Sequence, residues 1–175
     1  MNSLPSTPCY LNGAFTPLCD AKISVMDRGF IFGDGIYEVV PVYNGRPFRF
    51  SQHMARLERS LVEMRMTNPH TREQWLGIAM GLIGHGAKAQ GVAPDTLHQL
   101  VYIQITRGVA MRDHVMPTDI VPTVFAMATV MRPPSGCTDA ATRPLTPSPA
   151  RSTRRKPWRR MAAAAVRVSP ASKFT

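Results

Sequence analysis

The stretch that most limits the fold runs from Gly33 to Gly45 and reads "GDGIYEVVPVYNG". Two turn signals bracket a run of β-branched and aromatic residues. Asn44-Gly45 tolerates the positive φ of a tight hairpin, so the run before it and "RPFRF" after it read as paired strands. Gly33-Asp34-Gly35 lets the chain turn sharply just ahead of the run. Pro41 has no amide proton, which places its strand at a sheet edge or a bulge.

The rest of the chain up to about residue 134 fits a mixed α and β domain. "CYLNGAFTP" sets Asn12-Gly13 between short apolar runs, a second hairpin, and "AKISVM" is a short β-rich run. Ser51 is placed to cap a helix, "SQHMARLERSLVEMRM", in which Met54, Leu57, Leu61 and Met64 share one face. Thr71 opens another, "TREQWLGIAMGLIGHGAKAQ", with Trp75, Ile78 and Leu82 at the same spacing. "LVYIQITRG" and "PTVFAMATV" are nearly continuous in apolar residues and read as strands buried on both faces.

Charge divides the chain. Residues 137–175 carry nine of the 21 basic residues and one acid, Asp139, which leaves 12 basic and 10 acidic residues for positions 1–136. The formal net charge of +10 therefore belongs mostly to the tail. Arg, Ala, Pro, Ser and Thr supply 29 of the 39 tail residues, and apart from "MAAAAV" the tail has no apolar periodicity. Such a composition cannot bury enough apolar surface to offset chain entropy, so the tail is expected to be unstructured. A basic tail could still meet nucleic acid or an acidic surface. Trp158 is its one aromatic residue before Phe174, which offers little for stacking on single strands. Cys9, Cys19 and Cys137 show no metal-ligand spacing, so no metal site is expected, and their scatter fits a reducing compartment. No apolar run nears the roughly 20 residues needed to span a bilayer, and the first residues lack a signal-peptide pattern. A soluble, cytoplasmic protein is expected, with no membrane partner.

Taken singly, the polar residues have ordinary readings. Gly33-Asp34-Gly35 is a turn, Arg56 a solvated helix charge, and "TRGVAMRDH" a loop between strands. Tyr37 and Glu38 are neighbours on a strand, so one should face the core and the other solvent. In this order, however, "YLNGAF", "DRGFIFGDGIYEVVPVYNGRPFRFSQHMARLERS" and "QITRGVAMRDH" resemble the N-terminal domain of class IV, fold-type IV pyridoxal-phosphate aminotransferases. The resemblance runs from Tyr10 to about Pro134. The Arg-x-His of "MRDH" resembles the D-amino-acid aminotransferase branch; branched-chain aminotransferases and aminodeoxychorismate lyases are the alternative relatives.

The resemblance implies an α+β fold, with an N-terminal α/β domain over residues 1–136 and a basic tail over 137–175. It implies that Tyr37, Arg112 and His114 trap the α-carboxylate of an amino-acid substrate. An arginine fork suits a carboxylate, and a phenol and an imidazole add directional donors. It implies that Arg56 binds the phosphate of pyridoxal 5'-phosphate, and that the protein is a homodimer exchanging amino groups between amino acids and 2-oxo acids. Family members hold the cofactor on a lysine in a second domain, beyond the strands that end near Arg132, and pair its ring nitrogen with an acid. Neither group is identifiable here. Lys22 and Lys88 lie in the wrong domain; Lys156 lies at about the right distance, but "TRRKPWRRM" does not resemble the family's lysine strand. The resemblance stops near Ser135, as a shifted reading frame in a GC-rich gene would make it. The chain is expected to be truncated and inactive alone, or a non-catalytic fragment with a basic binding tail.

Overall fold

The computed structural model describes residues 4–117 and 119–131. The expectations for the tail, including those for Lys156 and Cys137, lie outside them. The elements in chain order are β1 (Pro8–Leu11), β2 (Ala14–Pro17), α1 (Arg28–Phe32), β3 (Gly35–Tyr43), β4 (Arg46–Pro47), α2 (Phe50–Glu63), α3 (Arg72–Gln90), β5 (Gln99–Thr106) and β6 (Thr123–Val130). The strands form one antiparallel sheet in the order β2-β1-β6-β5-β3-β4. This is the expected mixture of helix and sheet.

Both hairpins form at their Asn-Gly turns. Asn12 and Asn44 take positive φ of 47° and 50°, followed by Gly13 and Gly45 at 100° and 71°. Positive φ at both central residues gives the turn a twist that suits paired strands. Pro41 lies where the short β4 ends, and its carbonyl accepts from the Phe48 amide at 2.7 Å. Its missing amide proton therefore faces a side with no strand beside it, as the sequence required.

Helices α2 and α3 cover one face of the sheet. Leu57, Leu61, Trp75, Leu82 and Ile83 meet Val40, Val42, Val101, Ile103, Ile105, Val124 and Ala126 in the core. The expectation that β5 and β6 are buried on both faces needs correction. Val101, Ile103 and Ile105 are buried, while Leu100, Tyr102 and Gln104 between them are only half-buried. Helices close one face of these strands and leave the other partly open, so an almost continuous apolar run alternates in burial.

Three local readings also change. "AKISVM" is not a strand; Ile23 and Val25 are exposed, because β2 already ends that side of the sheet. Helix α2 begins at Phe50 rather than after Ser51, with Arg49 as a left-handed N-cap (φ 48°) that makes no side-chain cap bond. Ser51 instead accepts a hydrogen bond from Arg72 of α3. Helix α1 carried no periodicity at five residues and was not anticipated. The Thr71 start is as expected: its hydroxyl caps the Gln74 amide and the Gln74 side chain returns to the Thr71 amide at 2.7 Å.

Candidate functional site

Strand β3 presents its two adjacent polar residues to opposite faces. Glu38 faces α2 and is 3% exposed, whereas Tyr37 on the open face is 70% exposed. A buried carboxylate needs partners, and α2 supplies them one turn apart. Arg56 Nε donates to Glu38 Oε2 at 2.7 Å, and Arg56 Nη2 donates to Oε1. His53 Nδ1 lies 2.9 Å from the same Oε1, and the Val39 amide also donates to it. Burial would push the Glu38 carboxyl up, but the bonds from Arg56, His53 and the Val39 amide outweigh it and hold it below its ordinary range. The bonds Arg56 donates to Glu38, and the charge of that carboxylate, hold Arg56 protonated beyond its already high value, with a smaller contribution from Tyr37. The Arg56 side chain remains 59% exposed. Two of its five N–H groups are committed to Glu38 and Nη2 also lies 3.4 Å from His53 Nδ1, which leaves the Nη1 donors to meet an anion in a fixed orientation.

The Gly33-Asp34-Gly35 stretch is more than a turn. Gly33 ends α1 in the left-handed region at φ 67°. Gly35 starts β3 so close to β5 that a Cβ there would stand 2.6 Å from the Ile105 carbonyl oxygen. Between them Asp34 is buried and binds two arginines: Arg28 Nε and Arg107 Nε donate to its Oδ2 at 2.9 and 2.7 Å. Burial raises the Asp34 carboxyl, yet the bonds and charges of Arg107 and Arg28 win and lower it overall. Arg107 also donates to the carbonyls of Met64 and Arg65 at the end of α2, and Arg28 Nη1 donates to the Asp113 carbonyl at 2.9 Å. Nothing in the spacing of Arg28, Asp34 and Arg107 marks them as a cluster. Only the sheet pairing, with Gly35 opposite Thr106, brings them together.

The loop after β5 carries Arg112 and His114. Both lean on one ring: the Arg112 guanidinium carbon is 5.5 Å from the Phe32 centroid, and the His114 ring centroid is 6.0 Å from it. Tyr37 stacks on Tyr102 of β5 at 6.0 Å instead. The chain thus brings Arg112 and His114 together, and Arg56 together with Glu38, whereas Tyr37 lies on the opposite face of β3 from Glu38. No hydrogen bond or ring contact joins the two groups among the described residues. Lys22 and Lys88 are both exposed, and Lys88 sits in the last turn of α3. Among the described residues no cluster of His, Cys, Asp and Glu could hold a metal.

This fold is that of the N-terminal part of an aminotransferase, and the chain belongs to the class IV amino-transferases: the family model matches residues 35–165. The match runs past Ser135, where the quoted resemblance stops. The D-alanine aminotransferase of Staphylococcus aureus (strain MSSA476) is 38% identical over 118 residues, 67% of this chain and 39% of that protein. The chain therefore spans about two fifths of the length of such relatives. Among solved structures it is similar to the branched-chain amino acid aminotransferase of Escherichia coli, with TM-score 0.59 and 18% identity over 71% of this chain and 41% of that one. It is also similar to the 4-amino-4-deoxychorismate lyase of Pseudomonas aeruginosa, with TM-score 0.51 and 24% identity over 69% and 39%. At those identities the two likenesses speak for the fold.

Proposed function

We propose that this chain is the substrate- and phosphate-binding portion of a pyridoxal-phosphate-dependent transaminase of the D-amino-acid type, which moves an amino group from an amino acid to a 2-oxo acid. The observation that carries the reading is Arg56, half in water yet locked by the buried Glu38. A surface arginine held this firmly has lost its rotamer freedom before any ligand arrives. Arg56 would hold the cofactor phosphate, and Tyr37, Arg112 and His114 would hold the substrate carboxylate. The cofactor, when bound, supplies the electron sink for the reaction. The D-amino-acid preference is supported by the relatives that are D-alanine aminotransferases.

A homodimer follows from the same reading. Met111, Val115, Met116 and Val121 are exposed around the Arg112–His114 loop, an apolar rim suited to a second copy. The free Cys9 and Cys19 suit a cytoplasmic setting. Among the described residues no helix is long and apolar enough to cross a membrane.

The test compares pyridoxal 5'-phosphate with pyridoxal, titrated into the 175-residue chain. The expected result is tighter binding of the phosphate ester, with the difference removed by Arg56→Gln. Equal binding of both compounds would overturn the phosphate assignment.

A further inference from the structure

We propose that Arg28 is a positioning residue for the pair Arg112 and His114, a role that rests on the reading of that pair given above. Arg28 is 5% exposed, and a cation that deep must be compensated. Asp34 compensates it. The rest of the guanidinium does two further things. Nη1 donates to the carbonyl of Asp113, the single residue between Arg112 and His114. Its central carbon also stands 4.7 Å from the centre of the Phe32 ring, the ring on which Arg112 and His114 both lean. One buried planar cation therefore fixes the backbone between the two side chains and the platform beneath them.

The anchor is rigid for traceable reasons. The same Asp34 oxygen, Oδ2, also accepts from Arg107, whose remaining donors hold the end of α2. The Arg28 amide donates to the Gly108 carbonyl at 2.9 Å, and the Ala110 amide lies 3.4 Å from the Met26 carbonyl, so the N-terminal end of α1 and the root of the loop are laced together. Within the loop the Val115 amide donates to Asp113 Oδ1 at 3.1 Å, a bond that depends on where Asp113 is held. Arginine suits this position because its flat fork can bond a carboxylate and a carbonyl while stacking on a ring; a lysine ammonium supplies the charge without the plane.

Arg28→Lys separates the two functions, keeping the counter-charge for Asp34 and giving up the Asp113 bond and the stack. The experiment is proton NMR on the 175-residue chain without cofactor or amino acid. The readouts are the Phe32–His114 ring contact and the exchange rate of the Val115 amide, with the Val40 and Val101 amides of the β3–β5 ladder as the control. The expected result in Arg28→Lys is loss of the ring contact and about tenfold faster Val115 exchange, with the control amides unchanged. An unaltered loop, or control amides that accelerate as much as Val115, would overturn the proposal. Phe32 is partly exposed, so Phe32→Leu should fold even where Arg28→Lys does not. It should move the His114 ring signals to those of a free histidine, and signals that stay in place would equally overturn it. Neither readout needs transaminase chemistry, so failure here leaves the proposed function standing. Equal binding of pyridoxal and its phosphate, in turn, would not alter these spectra.

Discussion

Glu38 and Arg56 are bonded to each other, but they are not equivalent. Removing Arg56 strands a carboxylate that is almost fully buried, with only His53 and one amide left to it. Removing Glu38 releases an arginine into water. Arg56→Ala should therefore cost about 1–3 kcal/mol in urea unfolding, reduced from the fully buried case because the arginine is more than half exposed. Glu38→Gln should cost less, and equal costs would show that Glu38 is not effectively desolvated. Acid should act in the same sense on three groups. His70, which shares a 3.0 Å hydrogen bond with the Tyr10 hydroxyl, has its pKa lowered by burial. Its unfolded form takes up a proton first, so stability should begin to fall as pH drops below about 6.5. The lowered Asp34 and Glu38 carboxyls add a second loss as pH falls through about 4 and below. In thermal melts across pH 3–8, His70→Gln should remove the first step and keep the second. At this scale the sequence was half legible. Alternation said that Tyr37 and Glu38 face opposite ways; that the glutamate is the buried one depends on a helix fifteen residues later carrying Arg56 and His53 to it.

Elements were legible where a local signal sufficed. The Asn-Gly turns, the Thr71 capping box and the apolar faces of α2 and α3 are short-range patterns, and each forms as its residues require. The start of α2 was misread because Ser51 has the right chemistry for a cap, yet its hydroxyl is used by Arg72, a tertiary partner that no window of sequence contains. Helix α1 escaped for a related reason: it is held by Asp27, whose carboxylate caps the Gly29 amide and accepts from the Thr106 hydroxyl of β5. The two glycines around Asp34 allow a direct test of how α1 is joined to β3. Gly33 has open space around its Cα but a left-handed φ, so Gly33→Ala should cost about 1 kcal/mol, the ordinary price of that conformation. Gly35 is held against the β5 backbone, which has no flexible side chain to move aside, so Gly35→Ala should cost about 2–3 kcal/mol or more and loosen the β3–β5 pairing. Chemical denaturation of both variants decides this. The reverse ranking would place the strain in the turn rather than in the strand contact.

For the whole molecule, the proposed function assigns binding and chemistry to different parts of the chain. The described residues hold the proposed anion-binding side chains Arg56, Tyr37, Arg112 and His114, but neither of their two lysines, Lys22 and Lys88, makes a hydrogen bond or ion pair with them. Groups that position a substrate lower the entropy of reaction, but they do not replace a covalent attachment point and proton carrier. The 175-residue chain alone should accordingly show little or no half-transamination of pyridoxal phosphate by D-alanine, followed as the change in cofactor absorbance. The family match reaches residue 165 and so takes in Lys156. The sequence around that lysine is basic and rich in Arg and Pro, with no apolar run, and we propose that the change of composition after Ser135 comes from a shifted reading frame. Two measurements bear on this together. Sequencing the gene across codons 130–140 should reveal the shift, and the corrected chain should transaminate, with Arg112→Ala weakening its binding of the amino acid. If the 175-residue chain instead turns over at the rate of a full-length relative, the attribution fails. Lys156→Ala would then be expected to abolish both that turnover and borohydride fixation of the cofactor.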